Sequence, residues 1–130
     1  MKKILIYMGA DKTSYNISLN CFDFILSNNA KYKDSFQIVV TDDDKTIIDY
    51  LKSKNIEYIS KNESKNFSDS VSTKQYDWLL NLWGHNIFPD KFLNKFENNL
   101  NLHPSYLPYG RGKDSTVWTI FYNYIAGATI

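Results

Sequence analysis

The residues with the clearest chemical potential lie in Asn99-Leu100-Asn101-Leu102-His103-Pro104-Ser105-Tyr106-Leu107-Pro108-Tyr109-Gly110-Arg111-Gly112. Strand alternation places Asn101 and His103 on one face, about 6–7 Å apart along the chain, and Leu100 and Leu102 on the other. Pro104 has no amide hydrogen to continue a ladder, so both polar residues stand at the strand's carboxyl end. An amide there can donate to an oxyanion, while an imidazole can donate a second bond or shuttle a proton. That pairing suits acyl chemistry. The spacing alone leaves a second reading open, a polar strand end capped by a proline-rich turn.

The elements that must position this pair alternate along the chain. Residues 3–8 form a short apolar run closed by Gly9, the pattern of a buried central strand. An apolar-biased helix is expected over 14–26, a second strand over 36–40 and a third over 56–59. Thr41-Asp42-Asp43-Asp44 supplies an N-cap and negative charge for a helix running to about Lys54. Residues 60–75 are mostly Ser, Asn, Lys and Asp and read as a polar connection. A fourth strand is expected over 76–83, and a helix from Pro89 through Phe96, since proline at the first helical position costs no hydrogen bond. The fifth strand spans 99–103, a helix capped by Asp114 or Ser115 spans 115–124, and Ala128-Thr129-Ile130 begins another strand. Strands alternating with helices predict an α/β fold with a doubly wound, mostly parallel sheet. In such sheets ligands bind outside the carboxyl ends of the strands, where Asn101 and His103 stand.

Composition narrows the function classes. The 130 residues make one domain large enough for a core of its own, and 43% hydrophobic with 22% charged residues excludes a disordered tail. Fifteen basic against fourteen acidic residues give +1, so no basic field exists to hold a nucleic acid. The single cysteine, Cys21, excludes a disulfide framework and a cysteine-based zinc site, and within its apolar helix it reads as a small core residue. No metal site is expected. The apolar run after Lys2-Lys3 ends at Gly9, too short for a signal core, and nothing approaches a membrane span, so a cytoplasmic protein is expected. Lysine and asparagine richness, fourteen of each, reads as coding bias, which makes the lone arginine, Arg111, conspicuous.

The usual nucleotide signatures are absent. Gly9 stands alone where a dinucleotide fingerprint needs two or three glycines, and no Walker A pattern occurs. The acidic run at 42–44 raises the reading of a receiver-type signalling domain, but Ser60 stands where a phosphoacceptor aspartate would end the third strand.

The run Asn101-Leu102-His103-Pro104-Ser105-Tyr106-Leu107-Pro108, followed by Arg111-Gly112, resembles the signature of the formyltransferases that use N10-formyltetrahydrofolate. That family includes glycinamide ribonucleotide formyltransferase, methionyl-tRNA formyltransferase and the nucleotide-sugar N-formyltransferases. Trp118 falls where the family often has an aromatic residue, and Gly127-Ala128-Thr129-Ile130 is similar to the family's Gly-Val-Thr-Ile strand. The resemblance implies a Rossmann-like fold with N10-formyltetrahydrofolate as formyl donor. It implies that Asn101 donates to the formyl oxygen and that His103 assists as donor and proton-transfer partner. The backbone of His85, Asn86, Ile87 and Phe88 would meet the pterin ring, although these residues match the family's folate loop poorly. Arg111 and Ser105 are expected to hold the proline-rich turn.

The Leu107-Pro108-Tyr109-Gly110-Arg111-Gly112 form resembles the sugar-nucleotide branch, which implies a nucleotide-linked amino sugar as the acceptor. Glycinamide ribonucleotide, methionyl-tRNA and a non-catalytic folate or nucleotide-sugar binding remnant are the alternatives. The family completes its site with an aspartate beyond the strand that begins here at Ala128, and no residue of this sequence takes that place. The resemblance therefore implies a catalytic domain, residues 1–130, incomplete at its C-terminal end and inactive by itself. The unfinished sheet edge leaves a homodimer open.

Overall fold

The computed structural model describes residues 2–9, 17–40, 44–60, 76–84, 87–112 and 114–130, apart from the side chains of Tyr32 and Lys33. The start of the first expected helix, Asp42, Asp43, the polar stretch 61–75, His85 and Asn86 lie outside these residues. The chain divides into two compact units, Met1–Leu100 and Asn101–Ile130.

β1 (Ile4–Met8), β2 (Phe36–Val40), β3 (Tyr58–Ser60) and β4 (Tyr76–Leu82) join β5 (Phe96–Leu102) in one parallel sheet of order β3-β2-β1-β4-β5. The register places Ile4 between Phe36 and Trp78, and Met8 between Val40 and Leu82. The chain winds outward from β1 to β3, then returns to the other side of β1 at β4. The switch point where ligands bind in doubly wound sheets is thus at the carboxyl ends of β1 and β4.

Both faces of the central strands are buried, which is why they read as continuous apolar runs rather than alternating ones. Leu5, Tyr7 and Val39 face a cluster with Tyr76, Leu79, Phe92 and Phe96. Ile6, Met8, Ile38 and Val40 pack under Phe22 of α1 (Ile17–Asn28) and Ile47 and Leu51 of α2 (Lys45–Ser53). Cys21 packs at the edge of this second cluster, and burial raises its thiol pKa. Asp44 caps α2, its Oδ1 accepting from the amides of Thr46 at 2.8 Å and Ile47 at 3.1 Å. The Tyr50 hydroxyl on α2 donates to the Asp23 carboxylate on α1.

Several element boundaries differ from expectation, the larger ones for visible reasons. β3 begins at Tyr58 because Ile56 belongs to the end of α2. Its amide bonds the Leu51 carbonyl at 2.9 Å, and the amide of Asn55, in left-handed conformation at φ 53°, bonds that of Lys52. This pair of bonds is a Schellman cap with asparagine in the position glycine usually takes. The same device ends α4 (Ser115–Phe121): Asn123 has φ 52°, and Tyr124 donates to the Thr119 carbonyl, so the helix stops short of 124. The helix after Pro89, α3 (Asp90–Leu93), is only one turn long, and Phe96 opens β5 instead. β5 ends at Leu102, and His103 and Thr129 form an isolated antiparallel bridge where a further strand was expected. Asp114 does precede α4, but with φ 56° and no side-chain capping bond.

Two outcomes follow for stability. Asp44→Ala should cost about 1 kcal/mol in urea unfolding, the usual value of such a cap. Burial first, then the bond to Asp23, push the Tyr50 pKa up to about 12 from its ordinary value of 10.0. A phenol pKa raised by folding stabilises the fold fully below pH 10, and this stabilisation is lost as pH rises towards 12. Tyr50→Phe should therefore flatten the alkaline limb of a pH–stability curve between those values.

Candidate functional site

At the switch point the backbones of β1 and β4 come unusually close. The Gly9 amide bonds the Leu82 carbonyl at 3.3 Å, and a Cβ on Gly9 would lie 2.3 Å from the Trp83 carbonyl oxygen. No other residue fits there. Trp83 itself turns the chain at φ 67°, a conformation that bulky residues rarely adopt. The Asn81 side chain braces the turn from both sides: its Oδ1 accepts from the Gly84 amide at 2.9 Å, and its Nδ2 donates to the Gly84 carbonyl at 3.3 Å. The Ser18 hydroxyl of α1 donates to the Leu82 carbonyl.

Of the residues expected to meet the pterin, Ile87 is 96% exposed and Phe88 is half-buried. The Phe88 ring meets Tyr7 edge-on at 5.0 Å and stacks on Phe92 at 4.9 Å. This side chain packs against the core. Among the described residues, the backbone groups of Ile87 and Phe88 make no hydrogen bond. They are therefore able to pair with the polar edge of a ring.

The second unit is organised around the turn after His103. His103 and Thr129 exchange both backbone bonds, at 2.8 and 3.0 Å. The Thr129 hydroxyl donates to the Ser105 carbonyl at 2.7 Å and accepts from the Leu107 amide at 3.0 Å. From α4, the Ser115 hydroxyl donates to the Pro104 carbonyl at 3.1 Å. Ser105, only 1% exposed, directs its hydroxyl at the carbonyls of Tyr109 and Gly110, at 2.8 and 3.0 Å. The Nε2 of half-buried His103 lies 3.1 Å from that same Gly110 carbonyl. Gly110 has φ 61°, and a Cβ there would stand 3.1 Å from the Ser105 Cβ. Asn101 is exposed two residues before His103 on the closing stretch of β5.

Ser105 thus holds the turn, as expected. Arg111 does not: among the described residues its side chain makes no hydrogen bond or ion pair. It lines an open groove of about 320 Å³ with Gly110, Trp118, Tyr122 and Tyr124. Trp118 stacks on Tyr122 at 6.0 Å, Tyr122 on Tyr124 at 5.4 Å, and Tyr124 meets Tyr109 at 5.2 Å. The sequence offers Ser115 only as a helix cap and Thr129 only as part of a further strand, with no sign that either hydroxyl bonds the turn. A Gly-x-Thr run placed to return to the strand end is the only signal that pointed at Thr129. Among the described residues, no cluster of three metal-binding side chains occurs, and no helix is long and apolar enough to cross a membrane.

No protein-family model matches the chain. Its structure is similar to that of glycinamide ribonucleotide transformylase 1 from Symbiobacterium toebii, with TM-score 0.69 and 16% identity, over 99% of this chain and 64% of that one. Phosphoribosylglycinamide formyltransferase from Streptococcus pneumoniae TIGR4 matches at TM-score 0.68 and 17% identity, over 99% of this chain and 72% of that one. Glycinamide ribonucleotide transformylase 1 from Geobacillus kaustophilus matches at TM-score 0.66 and 19% identity, with the same coverage of 99% and 72%. The chain thus spans 64% of the length of the first of these proteins. The doubly wound parallel fold expected from the sequence is the one these formyltransferases adopt.

The switch-point geometry makes two glycines unequal. A Cβ on Gly84 would lie 2.5 Å from both Asn81 Oδ1 and the Tyr7 ring, whereas one on Gly112 would meet nothing within 4 Å. Gly84→Ala should destabilise by about 1–3 kcal/mol or more through overpacking. Gly112→Ala should cost about 1–2 kcal/mol, from its positive φ alone. Urea unfolding of the two variants checks this order, and a costlier Gly112→Ala would refute the packed switch point.

Proposed function

We propose that this protein transfers a formyl group from N10-formyltetrahydrofolate to the amino group of a nucleotide-linked amino sugar. The reading is carried by one coincidence. The Asn-x-His-Pro-Ser-x-Leu-Pro segment falls at the carboxyl end of a strand, in a fold that formyltransferases adopt. Bound folate supplies an activated formyl carbon. The amide of Asn101 donates to the formyl oxygen as negative charge develops there, and His103 accepts the proton that the attacking amine releases. The backbone groups of Ile87 and Phe88, together with those of His85 and Asn86, bind the polar edge of the pterin.

The groove beside the turn supports the nucleotide-linked acceptor. Its stacked rings present faces to a planar base or sugar ring, and the guanidinium of Arg111 suits a phosphate. A second acceptor, glycinamide ribonucleotide, is favoured by the neighbours in fold, whose names assign them that activity. Both acceptors carry a phosphate and a primary amine.

A formyl-transfer assay with each acceptor tests the proposal. Turnover with the nucleotide-linked amino sugar is expected of a version of the chain extended through the family's next aspartate, with residues 1–130 alone near background, and should fall about 10²–10³-fold in Asn101→Ala, the usual cost of one oxyanion donor. Turnover only with glycinamide ribonucleotide would establish the second reading. Activity unchanged in Asn101→Ala would refute the assigned site.

A further inference from the structure

We infer that Ser105 and Gly110 are positioning residues that hold the neutral His103 ring as its Nε2-protonated tautomer, leaving Nδ1 as the proton-accepting atom. The inference rests on the proposed role of His103 in proton transfer, but its geometry stands apart from that role. The Nε2 of His103 lies 3.1 Å from the Gly110 carbonyl oxygen. A carbonyl oxygen can only accept, so the hydrogen of this contact belongs to Nε2. A neutral imidazole has a single N–H, and its remaining lone pair is then on Nδ1. The opposite tautomer would set two lone pairs against each other at this distance.

The carbonyl is not held by the ring alone. The Ser105 hydroxyl lies 2.8 Å from the Tyr109 carbonyl and 3.0 Å from that of Gly110, and shares its one hydrogen between them. At 1% exposure Ser105 has little access to water that could replace these bonds. The left-handed φ of 61° at Gly110 aims the carbonyl, and the missing Cβ leaves the space that Ser105 fills. Thr129 fixes the other side, bonding the backbone of His103 and the carbonyl of Ser105. Every contact in this chain of restraints lies within residues 103–129.

The tautomer divides the chemistry between the two site residues. The amine nitrogen bonds to the formyl carbon and gives its proton to Nδ1. The bond from that carbon to N10 then breaks, N10 takes the proton from Nδ1, and the ring returns to its starting state. The Nε2–H stays hydrogen-bonded to the Gly110 carbonyl throughout, and the carbonyl dipole stabilises the ring while it is charged. While neutral, His103 has no second N–H for the oxyanion, so that task falls first to the Asn101 amide.

Nitrogen chemical shifts distinguish the tautomers directly. The chain has two histidines, so His85→Gln leaves one ring to observe. Two-bond hydrogen–nitrogen correlation spectra of the nitrogen-15-labelled variant, recorded with the ring neutral, should give the Nε2–H pattern. Adding Ser105→Ala should move the tautomer ratio towards Nδ1–H by up to about tenfold, the equivalent of one net hydrogen bond. Gly110→Ala should do the same, and keeps the test available should Ser105→Ala fail to fold. An Nδ1–H pattern in the parent, or an unchanged ratio in a folded variant, would overturn the inference. These spectra need no substrate, so an Nε2–H pattern beside an extended version that shows no turnover would refute the proposed reaction and leave the tautomer assignment standing.

Discussion

The parallel seam between β1 and β4 is the constraint from which the rest of the first unit follows. Five consecutive ladder positions, from Ile4 opposite Trp78 to Met8 opposite Leu82, bring both strands to their carboxyl ends together. The next residue of β1 then has to lie against the next of β4, and only a glycine at position 9 leaves room for the Trp83 carbonyl. Trp83 accepts a left-handed backbone that costs about 1–2 kcal/mol. The seam and the two bonds from Asn81 to Gly84 hold it there. Strain of this kind persists only where the surroundings over-determine it, and such places cluster at functional sites. Here it lies at the switch point of the sheet.

The two units are held by different forces. The first buries aliphatic and aromatic side chains on both faces of its sheet. In the second, the buried residues among those described are the serines Ser105 and Ser115, while Val117, Ile120 and Phe121 of α4 stay exposed. Its order comes from directional bonds to carbonyls, made by the hydroxyls of Ser105, Ser115 and Thr129. Each such bond contributes only about 0.5–1.5 kcal/mol net, but it fixes angles that hydrophobic burial leaves free. Angular control matters most where a ring nitrogen must be held at one distance and in one protonation pattern.

Sequence reading recovered the sheet almost completely. The limits of β2 agree at both ends, and those of β1 and β4 agree to one residue, because buried strands are short apolar runs with abrupt polar or glycine borders. Helix ends were less legible. Asn55 and Asn123 end α2 and α4 as glycine would, but in an asparagine-rich chain they do not stand out. Phe92 and Phe96 have helical spacing, yet only Phe92 is helical. Both rings reach the same cluster from different elements, so burial gave no clue to the boundary. Asn101 and His103 stand out in the sequence because a strand and a proline frame them. The partner of the His103 ring does not, since it is a carbonyl that a turn brings back from seven residues away.

The bridge between His103 and Thr129 also sets an order of events during synthesis. The chain leaves the ribosome from its amino end, so the sheet residues and the His103 turn emerge before the threonine that clamps them. At about 5–20 residues per second, the 26 residues from His103 to Thr129 take roughly one to five seconds to follow. For that interval the nascent turn has its own serine but not its tether. The stitch that completes it is then a late, long-range closure made by a single residue, and a ribosome paused anywhere between the two residues carries the imidazole without it.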